Sequence, residues 1–151
     1  MKIVLQRVAH ASVRVDNRIT GSIEKGFMLL VGITPSDTLE IIKRMAKKCS
    51  DLRIFEDDQE RMNLGLQDVQ GAILSISQFT LYADCRKGRR PGFEQAAKGD
   101  VAKPLYDAFN EELRELGYHV ETGIFGADMK VELLNDGPVT IVLDSKELGM
   151  E

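Results

Sequence analysis

Histidine and cysteine are scarce in this 151-residue chain, two of each, and the chemistry they often carry has little to rest on. No pair of them has the spacing of zinc ligands. The cysteines, Cys49 and Cys85, are too few for a disulfide framework, and free thiols of a cytoplasmic protein are the simpler reading. No apolar run reaches the ~18–20 residues of a membrane span. The opening MKIVLQRVAHASVRV alternates and carries charge, unlike a signal or transit peptide. The G-x-G-x-x-G and Walker phosphate loops are missing, as is the G-x-S-x-G turn of serine hydrolases. A membrane protein, a disulfide-stapled domain and a metal- or nucleotide-dependent enzyme are all disfavoured, and no cofactor is expected.

What is present reads as an ordinary soluble globular chain. The length suits one domain, 1–151, with one core. The net charge of −4 argues against non-specific coating of nucleic acid, and no DNA partner is expected. That charge is uneven. Between residues 86 and 103, Arg86, Lys87, Arg89, Arg90, Lys98 and Lys103 face only Glu94 and Asp100, a local +4 on a body of −8. The patch is equally consistent with a solvated loop and with a surface that touches a polyanion at one place.

Periodicity orders the elements. Residues 2–15 alternate, Asp16-Asn17-Arg18 reads as a turn, and 19–23 returns as a strand. GFMLLVGI at 26–33 is a buried strand. Over 37–52 the period becomes helical, with Ile42, Met45, Ala46, Cys49 and Leu52 on one face and Asp37/Glu40 at capping-box spacing. Residues 54–69 form an exposed connection or short hairpin, and 71–83 one long strand. DCRKGRRPG is a loop. A second helix begins at about 101 or 104, with Asp100 as its cap and Pro104 in its first turn, and runs to 116. Strands follow at 118–125, 129–134 and 139–144. The order β-β-β-α-β-α-β-β-β predicts an α/β domain with mostly antiparallel or mixed sheets and two main helices.

Chemistry has few places to reside. His10 and His119, each beside apolar neighbours, are expected to be structural. In SISQFTLYAD, a strand would turn Ser75, Ser77, Phe79 and Leu81 one way and Leu74, Ile76, Gln78 and Thr80 the other. Buried hydroxyls and an amide need partners, and bonding to nearby backbone would satisfy them without any function. Thr80 or Ser77 as a nucleophile would need an activating base, and none is evident nearby. In LLNDGPVTIV, 133–142, two halves of a buried-looking strand flank Gly137-Pro138, which a sheet interior does not favour. A plain turn between strands would explain that pair on its own.

SQFTL at 77–81 with NDGPVT at 135–140 resembles the paired signature of the D-aminoacyl-tRNA deacylases. MKIVLQRV at the start, GRRPGF at 88–93 and TGIFGADM at 122–129 resemble that family as well, in order and across essentially the whole chain. Each motif alone is weak; five in order are specific.

The resemblance implies a three-layer α/β/β fold and a cytoplasmic homodimer that hydrolyses the ester between a D-amino acid and the terminal ribose of tRNA. It implies that Ser77, Gln78, Phe79 and Thr80 line the catalytic pocket, where main-chain N–H groups stabilise the oxyanion. It implies that Gly137-Pro138 is a cis peptide that reaches into the partner's site and excludes L-side chains, leaving glycyl esters acceptable. Arg7 is the candidate to brace that peptide, Phe125 and Met129 are candidates to contact the terminal adenosine, and Arg86, Lys87, Arg89 and Arg90 to meet acceptor-stem phosphates. Core packing is the alternative for Phe125 and Met129. Thr80, a positioned water and the ribose 2′-hydroxyl all remain open as agents of attack. The rival readings are a non-catalytic RNA-binding or dimerisation module and a conventional Ser/Thr esterase.

Overall fold

A computed structural model describes residues 1–150. Its spine is β1 (Lys2–Val15), which hairpins through Asp16 and Asn17 into β2 (Arg18–Ile23) and β3 (Gly26–Gly32). Both turn residues adopt positive φ, 49° and 63°, the conformation that matches a two-residue hairpin to strand twist. One edge of β1 pairs first with β3, over Lys2–Val8, and then with β2, over Ala11–Val15. Its other edge pairs antiparallel with β8 (Lys130–Asp144) from Lys2 to Arg14. Beyond β3 lie β6 (Ala72–Ser77) and β7 (Val120–Thr122), both parallel to it. The sheet is therefore mixed, as expected. Phe55–Glu56 (β4) and Met62–Leu64 (β5) form a separate short hairpin.

Helix α1 (Leu39–Ser50) and helix α2 (Gly99–Glu115) cover one face of the sheet. They bury Ile42, Met45, Phe109 and Leu113 against Ile3, Leu5, Phe27, Leu29 and Ile73. Phe27 and Phe109 are wholly buried, each stabilising by about 1.5–3 kcal/mol relative to exposure. A second cluster, Val8, Ala11, Val13, Ile23, Met28, Leu74 and Ile76, fills the opposite face. Ile3 and Leu5 thus face the helices, while Val8, Ala11 and Val13 face away. Val8 lies opposite Leu5 by ordinary alternation, and the register slip between Val8 and His10, an extra residue in β1, keeps Ala11 and Val13 on that same side. The far half of β1, with β2 and the start of β8, folds over β3 and β6 as the third layer.

Several sequence expectations need correction. The segment 71–83 is not one strand: β6 ends at Ser77 and Phe79–Tyr82 is a 3-10 helix. The last rung of β3 against β6 is Val31↔Ser77, and a Cβ on Gly32 would lie 3.1 Å from Leu81 and 3.2 Å from the Gln78 carbonyl. A bare glycine at the end of β3 lets the chain fold over it instead of running on. The strands at 129–134 and 139–144 are one strand, β8, and it is only half-buried: Leu134 and Val142 are 50% and 64% exposed. The strand at 118–125 shrinks to β7. Thr38, not Asp37, caps α1, its hydroxyl accepting from the Ile41 N–H at 3.3 Å. Asp37 instead accepts from the Met1 ammonium at 2.7 Å and from the Thr34 N–H at 2.9 Å. Helix α2 starts at Gly99, so Asp100 lies in its first turn and Pro104 beyond it. The Lys98 carbonyl, which accepts from the Val101 and Ala102 N–H groups, starts the helix without a side-chain cap.

The packing makes two positions testable. A Cβ on Gly26 would sit 1.8 Å from the Ala72 carbonyl oxygen, its partner in the β3–β6 ladder. Gly26→Ala is expected to lower unfolding free energy by about 3 kcal/mol or more, since backbone rather than a side chain must yield, as read by urea denaturation. Burial holds the Cys49 thiol up at about 12, whereas Cys85 is exposed. Iodoacetamide at pH 8 is expected to alkylate native protein at Cys85 alone, by peptide mass mapping.

Candidate active site

Three parallel strands end on the same side, and the chain leaving each one helps to wall a cavity of about 560 Å³. Val31 and Ile33 come from the end of β3, and Ser77, Gln78 and Phe79 from the end of β6. Phe125 and Met129 belong to the connection between β7 and β8, while Lys98, Gly99 and Ala102 come from the start of α2. This follows the general placement of ligand sites beyond the carboxyl ends of parallel strands.

The strand-to-turn change at Ser77 is pinned by backbone. The Gln78 N–H donates to the Val31 carbonyl at 2.8 Å, and the Leu81 N–H donates back to the Gln78 carbonyl at 3.3 Å. The 3-10 turn leaves the first N–H groups, at Phe79 and Thr80, outside its own bonding. Gln78 Nε2 donates to Thr80 Oγ1 at 2.5 Å. Thr80 is exposed and does not line the cavity. Phe79 packs edge-on against Phe93, ring centroids 5.1 Å apart, and both line the cavity. Among the described lining residues only Lys98 and Asp128 are ionisable, and neither histidine is among them. His10 is exposed, and His119 pairs with Glu121 at 2.9 Å.

Gly137 and Pro138 lie outside this cavity. Between the rungs Gln6↔Thr140 and Val8↔Asn135, a single β1 residue, Arg7, faces four residues of β8, Asp136 to Val139. The excess length loops outward and is closed at its base by Asn135, whose side-chain oxygen accepts from the Val139 N–H at 2.8 Å and whose amide donates to Thr140 Oγ1 at 2.9 Å. The Gly137–Pro138 peptide is cis, and both residues are exposed. Gly137 has φ 145°, and a Cβ there would meet Val139 at 2.7 Å and the Arg7 guanidinium at 3.1 Å, so only glycine fits.

Arg7 is 6% exposed and stands behind the loop. Its Nε donates to the Asp136 carbonyl at 2.8 Å and its Nη1 to the Ile54 carbonyl at 2.7 Å. It braces the peptide that precedes Gly137-Pro138 rather than the Gly-Pro carbonyl itself, and it does not line the cavity.

The basic loop is a closed unit. Asp84 and Gly92 exchange backbone bonds of 2.7 and 2.8 Å. Arg86 donates to both Asp84 oxygens, and this pairing holds the Asp84 carboxyl down at about 2. Arg86 is thereby engaged within the loop, whereas no ion pair ties Lys87, Arg89 or Arg90 to the other described residues. The structure thus gathers Ser77, Gln78, Phe79, Phe125 and Met129 at one cavity and puts Arg7 with Gly137 and Pro138 elsewhere. Phe93, Lys98 and Ala102 were not assigned to the cavity from sequence; Phe93 carried a signal as the end of GRRPGF and Lys98 only as part of the basic stretch.

Removing the guanidinium would leave the Asp136 and Ile54 carbonyls without that donor, the second of them buried. Arg7→Met is expected to cost about 2–4 kcal/mol of stability, measured by denaturant titration, and to broaden the amide resonances of Gly137 and Val139.

The family model described as "D-Tyr-tRNA(Tyr) deacylase" matches residues 4–144. A D-aminoacyl-tRNA deacylase of Exiguobacterium sibiricum is 60% identical, covering 95% of this chain and 99% of that one. The protein of that name from Geobacillus sp. is 58% identical over 97% of each chain. Among solved structures, that of a "c-Myc DNA Unwinding Element Binding Protein" superposes with a TM-score of 0.90 at 40% identity, covering 96% of this chain and 99% of its own. A probable eukaryotic D-amino acid tRNA deacylase, at 20% identity, shares the fold with a TM-score of 0.81 and covers 94% of this chain and 97% of its own. On the family match across 4–144 and these near-full-length identities, the chain belongs to the D-Tyr-tRNA(Tyr) deacylase family.

Proposed function

We propose that this chain is a D-aminoacyl-tRNA deacylase that hydrolyses the ester between a D-amino acid and the 3′-terminal ribose of tRNA, working in the cytoplasm as a homodimer. Family membership and the near-full-length deacylase relatives support the hydrolase activity. The observation that carries the finer reading is the separation of two parts: a cavity lined by Ser77, Gln78, Phe79, Phe125 and Met129, and an exposed Gly137-Pro138 loop outside it. A loop that cannot serve its own cavity is suited to serve a second copy. β8 pairs only with β1 among the described strands, and its exposed Leu134 and Val142 offer an apolar face for that copy.

In this reading the terminal adenosine lies against Phe125 and Met129. The ester carbonyl meets main-chain N–H groups of the Phe79–Thr80 turn, which are fixed before the substrate arrives and so cost no reorganisation as charge develops. The partner's Gly-Pro backbone walls off the L-side chain, so selectivity works by exclusion and glycyl esters pass. Of the wall's two described ionisable residues Asp128 is paired with Lys130, and Thr80 lies outside the cavity, which favours a positioned water, assisted by the ribose 2′-hydroxyl, over attack by the exposed Thr80. Lys87, Arg89 and Arg90 supply a few phosphate contacts, each adding about −0.7 to −0.9 to the salt slope. The DNA binding for which one solved relative is named gains no support from this chain, which is acidic overall and gathers its excess of basic residues in one short stretch.

The test is deacylation of D-tyrosyl-tRNA and L-tyrosyl-tRNA side by side with chelator present. The D-ester is expected to be lost and the L-ester spared; equal loss of both would remove the exclusion argument, and loss of neither would favour the RNA-binding module. Thr80→Ala is expected to slow the D-ester reaction by less than about tenfold, whereas Gly137→Ala abolishes the preference for the D-ester. An acyl-Thr80 adduct found by mass spectrometry after rapid quench would overturn the water mechanism and favour the conventional esterase.

A further inference from the structure

Tyr106 stands behind the cavity without lining it, and it touches two of the cavity's walls. It is 4% exposed on the inner face of α2, one turn below Ala102, which does line the cavity. Its hydroxyl donates to the Ser75 carbonyl at 2.7 Å and accepts from the Ser75 hydroxyl at 3.4 Å. Its ring lies against Phe125, with centroids 5.9 Å apart and planes at 42°.

The position of Ser75 gives these contacts their meaning. Ser75↔Thr122 is the last rung of the β6–β7 ladder. Past it the strands part: one continues to Ser77 and the 3-10 turn, the other to Phe125, and the cavity opens between them. The phenol is therefore fastened at the fork, two residues before Ser77, while the ring supports the other branch. Ser75 is wholly buried, so loss of the phenol would leave its carbonyl with no water to replace the donor. Burial also raises the phenol above the ordinary tyrosine range, which keeps it protonated, and so a donor, throughout neutral pH.

We infer that Tyr106 is a positioning residue for the reaction: its hydroxyl sets the strand that delivers the Ser77–Thr80 turn, and its ring sets Phe125. The inference rests on the deacylase reading above. The two contacts have separable consequences. The turn is assigned to the developing oxyanion, so displacing it weakens the transition state alone and lowers kcat. Phe125 is assigned to the adenosine, present equally in ground and transition states, so displacing it raises KM.

The experiment measures kcat and KM for D-tyrosyl-tRNA with wild type, Tyr106→Phe, Tyr106→Leu and Phe125→Leu, each rate taken per folded molecule from circular dichroism. Tyr106→Phe keeps the ring and is expected to lower kcat by about tenfold with KM within about twofold. Tyr106→Leu loses both contacts and is expected to lower kcat and raise KM. Phe125→Leu keeps the phenol and is expected to raise KM by about tenfold with the smaller effect on kcat. Wild-type kinetics per folded Tyr106→Phe molecule, with only the melting temperature lowered, would overturn the inference and leave a purely structural tyrosine. If Tyr106→Phe does not fold, the Phe125→Leu result still decides: a fall in kcat equal to its rise in KM would contradict the division between the two walls. A wild-type protein that leaves D-tyrosyl-tRNA intact would instead defeat the deacylase reading itself.

Discussion

A buried guanidinium held by two main-chain carbonyls organises much of this structure. Arg7 sits in the middle of the longest pairing in the sheet, and its contacts to Asp136 and Ile54 join β8 to the segment that leads into β4. A charge removed from water is tolerated only when its donors are met. Here Nε and Nη1 are met by two backbone oxygens, and the Asp136 carbonyl is free to accept because the β1–β8 ladder is broken at that point. Side chain and ladder break thus stabilise each other. With the break held open, Asp136, Gly137 and Pro138 stand out from the sheet as a fixed projection while Val139 returns to the core. Beyond it, β1 resumes with its faces exchanged and covers the far side of β3 and β6. Two adjacent slips therefore act in turn, the one at Arg7 giving the projection and the one between Val8 and His10 the third layer.

The cavity obeys a different constraint. It forms where regular pairing runs out, at the ends of β3, β6 and β7, and its walls are mostly apolar side chains and main chain. Such a wall offers shape and fixed main-chain N–H groups and, among its described residues, only two ionisable side chains, Lys98 and Asp128. Its geometry is only as accurate as the strands beneath it, and buried contacts outside the lining, such as those of Tyr106 to Ser75 and Phe125, hold those strands and their extensions in place. Gly32 contributes in the same way, since the absence of a side chain allows the 3-10 turn to close over the end of β3.

Local signals made much of the architecture legible. The Asp16-Asn17 hairpin, the apolar run of β3 and the stripes of both helices could be read because each reports a nearest-neighbour preference or a repeating face. The site segments were legible only through resemblance, as motifs without geometry. Where reading failed, the deciding partner was distant in sequence. Ser77 ends β6 because β3 stops pairing there, some 45 residues earlier. The Asp37 carboxylate looked like a cap until the Met1 ammonium claimed it. Two strands around Gly137-Pro138 are one because β1 pairs with both halves.

By itself, then, the sequence determined the class of fold, the scarcity of histidine and cysteine, and, through resemblance, the two segments, SQFT and Gly-Pro, that stand as candidates for the site. It did so because composition, periodicity and motif are properties of the chain alone. Tertiary structure decided that those two segments do not meet within one chain, that Arg7 braces the residue before the Gly-Pro pair, and that Phe93, Lys98 and Ala102 complete the cavity. These outcomes depend on which strand stops first and on which buried donor finds which carbonyl, and both are settled only when distant segments pack.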